Sequence, residues 1–292
     1  MLTFNNAGGL KIKNKIIQQT WDAVTAKQTG EDKFVITSVT YEPSRSNIVE
    51  AMNHSKKIIR KAHKQGNLHL LDQQVEKMIS KNCFKELDEK ELLGLDSVPH
   101  LFTLFNWVFN SSSASTPFRM ISNTSNVSSC TTISTEQLSP HNILNPQENG
   151  LIRFSIHPIP LVADIQGAYH TIGVDEASSY LRLFFYWWDS PRCEKARVFR
   201  QVTQSFGDGG AAQGLEVGIL KFVCTAAILM VSKFIIEFVR YSDNLMYSFK
   251  TKKECLEVKE DLETSFSRYS MPLKYCITNL ENDSTQEEVR NE

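Results

Sequence analysis

The chain has 292 residues, of which 41% are hydrophobic and 22% are charged, and its formal net charge is −1. These values are ordinary for a globular protein, and the length allows one large domain or two small ones. A near-neutral chain excludes a uniformly basic nucleic-acid-binding protein, so any contact with nucleic acid must come from a local basic patch.

The cellular location is predicted from cysteines and apolar stretches. The six cysteines are scattered without a CxxC pair, which favours reduced thiols in the cytoplasm or nucleus over a zinc site or a disulfide framework. The N-terminus has no basic-then-apolar signal peptide. Residues 217–239 are the most apolar stretch, but Lys221, Lys233 and Glu237 interrupt them. We therefore expect no transmembrane segment, no membrane partner and no secretion.

The first third of the chain predicts a strand and two helices. Residues 34–41 predict the strand, and residues 46–66 predict a helix with Asn47 as its N-cap. A second helix is expected near residues 71–79. The first helix carries a basic run from Lys56 to Lys64. A solvated helix face is the favoured interpretation of this run, and a phosphate-contacting patch is the alternative.

The middle of the chain predicts strands around a polar loop. Residues 101–109 predict a strand, a polar linker at 110–115 leads to residues 116–121, and the Ser- and Thr-rich residues 122–139 predict a long loop. Short helices are expected at residues 140–144 and 175–179. Two further strands are expected at residues 181–188 and 196–202, the second with Arg197 and Arg200 pointing outward.

The C-terminal part predicts a hairpin between two helices. A glycine-containing break at residues 205–211 precedes an apolar helix at 212–232, and residues 238–248 predict the hairpin. A charged helix at 252–268 and a strand at 273–277 follow. The inner face of this helix carries Cys255, Val258, Leu262 and Phe266. The order of elements predicts an α+β fold with an antiparallel sheet backed by helices, followed by a disordered acidic tail at 281–292.

Two acids stand at the ends of apolar segments. An apolar run from Ile159 ends at Asp164, and Asp243 lies at the tip of the predicted hairpin. An aspartate in a tight turn usually bonds its own backbone, but the second acid in similar surroundings favours a shared site. Mg²⁺ takes one or two carboxylates, and two such ions about 4 Å apart can hold the oxygens of an in-line phosphoryl transfer.

Five features in a fixed order resemble the palm of reverse transcriptases. They are Asp164 at a strand end, Tyr169 five residues later, the Phe206-Gly207 turn, Tyr241-Ser242-Asp243-Asn244 in a hairpin and Lys274 in a following strand. Residues 118–125, 163–170 and 182–187 are similar to the Bel/Pao group of long-terminal-repeat retrotransposons. The resemblance spans residues 45–280. It implies a mostly helical segment at 1–95 leading into the fingers, then fingers and palm at 96–280, truncated before the thumb.

The resemblance implies an RNA-directed DNA polymerase with two Mg²⁺ or Mn²⁺ ions. Asp164, Asp243 and the backbone carbonyl of Ile165 would bind the metals, and Lys274 would donate a proton to the leaving pyrophosphate. An edge charge that blunts strand pairing is the structural alternative for Lys274. The implied partners are an RNA template, a DNA primer, deoxynucleoside triphosphates and other segments of a polyprotein.

The resemblance also implies nucleotide contacts. Arg119 would contact the incoming triphosphate, since its planar guanidinium suits phosphate. Tyr169 would lie under the sugar, while Phe206 and Gly207 would pack on the templating base pair. The structural alternatives are a surface charge for Arg119 and a core side chain for Tyr169.

Asn244 departs from the family pattern, in which two adjacent acids usually stand in the hairpin. An amide keeps an oxygen ligand but loses a full charge. At 4 Å and an effective dielectric near 20, one charge pair is worth about 4 kcal/mol per unit of cation charge before desolvation. Metal affinity is therefore expected to be lower than in the family.

Three hypotheses follow from the sequence. The first is a palm-and-fingers fragment of a Bel/Pao-type reverse transcriptase that performs two-metal nucleotidyl transfer to a primer 3′-hydroxyl. The second is a catalytically impaired or domesticated remnant that binds nucleic acid or a protein. The third is an unrelated α+β protein, which a close approach of the Asp164 and Asp243 carboxylates would exclude.

Overall fold

The structure is a computed structural model that describes residues 2–4, 10–12, 24–29, 31–36, 48–110, 118–123, 151–152, 154–188, 196–207, 211, 214–219, 239–241 and 243–280. Five predicted features lie wholly or mostly outside these residues. They are the N-cap Asn47, the loop at 122–139, the helix at 140–144, most of the helix at 212–232 and the tail at 281–292.

Fourteen strands and five α-helices have both ends within the described residues, and residues 214–219 are also helical. The strands are β1 (Leu2–Phe4), β2 (Leu10–Ile12), β3 (Val24–Thr29), β4 (Glu31–Ile36), β5 (Phe84–Glu86), β6 (Phe105–Phe109), β7 (Phe118–Ser122), β8 (Ile159–Ile165), β9 (Ile172–Val174), β10 (Leu183–Tyr186), β11 (Arg197–Gln201), β12 (Val239–Tyr241), β13 (Asn244–Phe249) and β14 (Leu273–Thr278). The helices are α1 (Ile48–Lys64), α2 (Leu68–Ser80), α3 (Glu89–Gly94), α4 (Glu176–Tyr180) and α5 (Lys252–Arg268).

The chain divides into two compact units that alternate along the sequence. The first unit comprises Met1–Ile36, Pro140–Ile172 and Ala212–Asn291. The second unit comprises Thr37–Ser139 and Gly173–Ala211. Each has its own cluster of buried hydrophobic side chains.

The first unit contains a four-stranded antiparallel sheet in the order β12-β13-β8-β14. Because side chains alternate along a strand, Leu161, Ala163 and Ile165 of β8 turn together into the first core. Helix α5 packs on this side of β8, β13 and β14. The predicted inner residues of α5 are all buried there: Cys255, Val258, Leu262 and Phe266. The cap of α5 is Thr251, whose hydroxyl accepts a hydrogen bond from the Glu254 N–H.

The second unit has an aromatic core against a sheet in the order β10-β11-β5. Phe184 is its centre, since its ring contacts those of Phe84 and Phe105 edge-on at centroid distances of 5.0 Å and stacks on Phe199 at 5.6 Å. Helix α1 covers β10, with Ala51, Ile59 and Ala62 buried on its inner side.

The predicted orientation of Arg200 is wrong. The sequence predicts that Arg197 and Arg200 both point outward from β11, but Arg197 is exposed and Arg200 is only 5% exposed. The odd spacing explains the difference, because residues three apart in a strand lie on opposite faces. The Arg200 guanidinium donates to Ser179 Oγ at 3.0 Å and pairs with Glu91 and Glu176 at 3.3 Å.

The α+β class is confirmed at the level of antiparallel sheets backed by helices, and the hairpin at residues 238–248 is confirmed as β12 and β13. Within the described residues, no helix is both long and apolar enough to cross a bilayer.

Truncation of Leu262 tests how much the contact between α5 and the sheet stabilises the first unit. Leu262 is fully buried, so Leu262→Ala is expected to lower the free energy of unfolding by about 2 to 5 kcal/mol. The matched control is Leu256→Ala on the same helix, where the side chain is 41% exposed and the loss should stay below about 1 kcal/mol. Urea denaturation followed by circular dichroism measures both, and equal losses would contradict this packing.

Candidate functional site

Asp164 lies one residue before the end of β8, which is flanked by β13 and β14 in the sheet. Its neighbours Ala163 and Ile165 are buried in the first core, so alternation places the half-buried Asp164 on the opposite face. The strand register pairs Asp164 with Asn244 on one side and with Tyr275 on the other. The end of an apolar strand thus presents one carboxylate between two polar neighbours.

Asp243 lies in the turn between β12 and β13, where Tyr241 pairs with Asn244. The backbone carbonyl of Asp243 accepts a hydrogen bond of 3.1 Å from the N–H of Ile165. This bond fastens the turn to the last residue of β8. The two acids singled out in the sequence are therefore at the same end of one sheet.

The pKa of Asp164 reflects its burial and the charges around it. Burial is the main cause that raises the pKa of Asp164 from 3.8 to about 6, and the negative charge of Asp243 raises this pKa further. The positive charge of Lys274 opposes both effects and lowers the pKa of Asp164. A half-buried carboxylate beside a like charge is stabilised by a cation, which would relieve both the repulsion and the burial cost.

Asn244 is oriented by its two neighbours. Its amide nitrogen donates to Asp243 Oδ1 at 3.3 Å, and its amide oxygen accepts from the Tyr275 hydroxyl at 3.5 Å. A carboxylate can only accept hydrogen bonds, so the nitrogen is the amide atom that suits Asp243. In this arrangement Asn244 is a donor to Asp243 and directs its oxygen to Tyr275.

Tyr275 is the site residue that the sequence analysis missed. Burial raises the pKa of the Tyr275 hydroxyl, and the charges of Asp164 and Asp243 raise it further. A register shift between Leu273 and Tyr275 sets which residue of β14 stands beside Asp164. The only signal in the sequence is a tyrosine next to Lys274, and a one-residue bulge cannot be located from that.

The other first-unit residues that the resemblance names lie in different surroundings. Lys274 is exposed on β14, and the buried Ile165 can offer only its backbone to a ligand. Tyr169 lies on the 3₁₀ turn Ala168–Thr171, which follows Gly167 in the left-handed conformation. Its half-buried ring packs against the first core. This contact agrees with the structural alternative for Tyr169 and leaves its role at a sugar a prediction.

Arg119, Phe206 and Gly207 belong to the second unit. Arg119 is exposed on β7, opposite Val108 of β6. The carbonyl of Phe206 accepts a hydrogen bond of 2.7 Å from the N–H of Ser122, three residues after Arg119. Gly207 has a φ of +89°, and a Cβ there would lie 2.1 Å from the Ser122 carbonyl oxygen. Glycine is therefore required for this turn to approach the end of β7.

The donor atoms of the first unit suit a hard cation. Asp164 and Asp243 offer carboxylate oxygens, the ligand type that Mg²⁺ prefers, and Mg²⁺ needs only one or two of them when water and phosphate fill its other positions. Among the described residues no group of three or more His, Cys, Asp or Glu side chains could hold a metal ion, so we treat Asp164 and Asp243 as a pair. Cys83, Cys255 and Cys276 are buried cysteines that are not in disulfide bonds.

Comparison with known proteins gives no family: no family model matches the chain, and no curated protein matches it significantly.

The raised pKa of Asp164 predicts a pH dependence of stability. Between about pH 4 and 6 the folded protein keeps a proton that the unfolded chain releases, so stability falls as pH rises through this window. Asp164→Asn removes this dependence. At pH 7 it should raise the free energy of unfolding by about 1 to 2 kcal/mol, allowing for solvent screening.

Urea denaturation at several pH values measures the effect. The control is Glu260→Gln, because Glu260 is exposed on α5 of the same unit and its replacement should leave the slope unchanged. An Asp164→Asn protein with the native slope would show that this carboxyl does not titrate between pH 4 and 6.

Proposed function

We propose that the chain is the palm-and-fingers part of a reverse transcriptase of the Bel/Pao group, and that its reaction is two-metal nucleotidyl transfer to a primer 3′-hydroxyl. The observation that supports this proposal is the placement of Asp164 and Asp243 at the same end of a helix-backed antiparallel sheet. In the proposal the first unit serves as palm and the second as fingers.

The proposed chemistry assigns roles to the two acids and to Lys274. Asp164 and Asp243 would hold Mg²⁺, whose positive charge would lower the repulsion between the primer oxygen and the triphosphate. Lys274 is exposed beside the acids and protonates the leaving pyrophosphate.

The second unit would position the nucleotide and the template. Arg119 is exposed on a hairpin, which leaves its guanidinium accessible to a triphosphate. Phe206 and Gly207 form a turn in which a glycine is required, and this turn would pack on the templating base pair. Tyr169, from the first unit, would lie under the sugar.

A second candidate function is favoured by the orientation of Asn244. Its amide nitrogen faces Asp243 and its oxygen faces Tyr275, so it adds neither a charge nor an oxygen to the acid pair. A site with this weaker donor set fits a remnant that has lost catalysis and keeps only a binding role.

Metal affinity tests the acid pair of the two candidate functions without a measurement of polymerase activity. The native chain is expected to bind Mn²⁺ in titrations followed by electron paramagnetic resonance, and Asp243→Ala should abolish binding. Asn244→Asp should bind at least about tenfold more tightly, because it adds a charge next to the ions. Asn53→Asp adds the same charge at an exposed position of α1 in the second unit and should leave the Mn²⁺ affinity unchanged. Native affinity in Asp243→Ala would contradict the proposed site.

Primer extension tests the reaction itself. The native chain, Asp243→Ala and Asn244→Asp are compared on an RNA template with a DNA primer, in Mg²⁺ and in Mn²⁺. Extension by the native chain that is lost in Asp243→Ala supports a working polymerase. Extension by Asn244→Asp alone supports an intact scaffold silenced by one missing charge. No extension by any of the three contradicts the polymerase and favours the binding remnant.

A further inference from the structure

Helix α1 has an unusual charge balance for a surface helix of this protein. Helices α1 and α5 both have 17 residues. Helix α5 carries four lysines and arginines with five acids, whereas α1 carries five lysines and arginines with one acid, Glu50. In a chain with a net charge of −1, α1 is therefore a local concentration of positive charge.

Four of these cations form a single row along α1. Lys57, Arg60, Lys61 and Lys64 are spaced i, i+3, i+4 and i+7, which places them on one side of a helix, and all four are exposed. We call them the basic row. The opposite side of α1 is buried in the second core. The row is about 10 Å long at 1.5 Å per residue. The fifth cation, Lys56, lies 5.5 Å from the Trp187 ring and is not part of the row.

Within the described part of the chain, no acid forms an ion pair with the basic row. On α5, by contrast, Lys253 pairs with Glu257 and Lys259 with Glu263. Like charges three and four residues apart repel, so the basic row carries a cost that the mixed face of α5 avoids. An anion from outside the protein would relieve this repulsion.

The composition of the basic row and the burial of the opposite helix side indicate which class of anion the row can bind. A helix that lies on a membrane needs an apolar face to insert, and the apolar face of α1 is already used in the core. The row has no aromatic member on which a base could stack. A line of separate cations without such a platform suits a line of phosphates.

We propose that the basic row binds nucleic acid through its phosphate backbone, without reading its sequence. The choice of nucleic acid as the polyanion rests on the proposed function. The binding itself requires neither metal ions nor nucleotides, so it can be tested separately from catalysis.

The test is binding of an oligouridylate of about 20 nucleotides, followed by fluorescence anisotropy in EDTA between about 50 and 200 mM KCl. In the variant, all four members of the row become glutamine, which has a helix propensity close to those of lysine and arginine. Each lost phosphate contact on a single strand reduces the slope of log K against log salt by about 0.7, so the slope should become shallower by about 2 to 3. Affinity at the lowest salt concentration should fall at least about tenfold.

The control variant carries the same change of charge at another surface. Lys250, Lys252, Lys253 and Arg268 are three lysines and one arginine, all exposed in the first unit, and all four become glutamine. Circular dichroism verifies that both variants are folded. The control is expected to keep the native slope, and oligothymidylate should behave like oligouridylate because the two share the phosphates.

Three outcomes would overturn the proposal: no binding by the native chain, equal losses in the two variants, or a loss with RNA but not with DNA. The oligonucleotide titrations are made in EDTA, so they do not depend on the metal site. Failure of the metal site would therefore leave this result unchanged, and failure of the basic row would leave the metal titrations unchanged.

Discussion

The placement of two carboxylates on neighbouring backbone segments is the constraint on which the candidate site depends. Strand β8 and the turn after β12 are joined by the hydrogen bond from the Ile165 N–H to the Asp243 carbonyl, and this bond keeps Asp243 beside Asp164. The protein thus holds a half-buried acid against a like charge, which raises the pKa of Asp164 to about 6. This arrangement opposes folding unless a positive charge compensates it. Perturbed pKa values of this kind are common at functional sites.

The supports of this site come from the sheet and from α5. Leu161, Ala163 and Ile165 anchor β8 in the first core, and the mostly apolar inner face of α5 packs on the same core. Because β8 lies between β13 and β14, it is the strand whose register determines the surroundings of Asp164. The orientation of Asn244 then follows from local chemistry, since a carboxylate and a phenol leave one favourable way to place an amide.

Features encoded in nearby residues could be predicted from the sequence. The boundaries and inner face of α5 follow from a 3.6-residue period and a capping threonine, and the hairpin follows from turn formers between apolar runs. The partners of a strand are not encoded locally, which is why Tyr275 was missed: its place beside Asp164 depends on a bulge in β14. Arg200 was misplaced because an arginine side chain suggests solvent, whereas its burial depends on Glu91 and Glu176, which are distant in sequence.

The order of strands in the first unit has a consequence for synthesis of the protein. Strand β8 ends at Ile165, while its partners β13 and β14 begin at Asn244 and Leu273. At the usual 5 to 20 residues per second, the ribosome needs roughly 4 to 16 s to make the chain between β8 and β13. During that time an apolar strand has neither of its native neighbours, and its exposed edges can pair with other chains. Nascent copies released before Asn244 are therefore prone to aggregate, and the cell must shield β8 until the hairpin emerges.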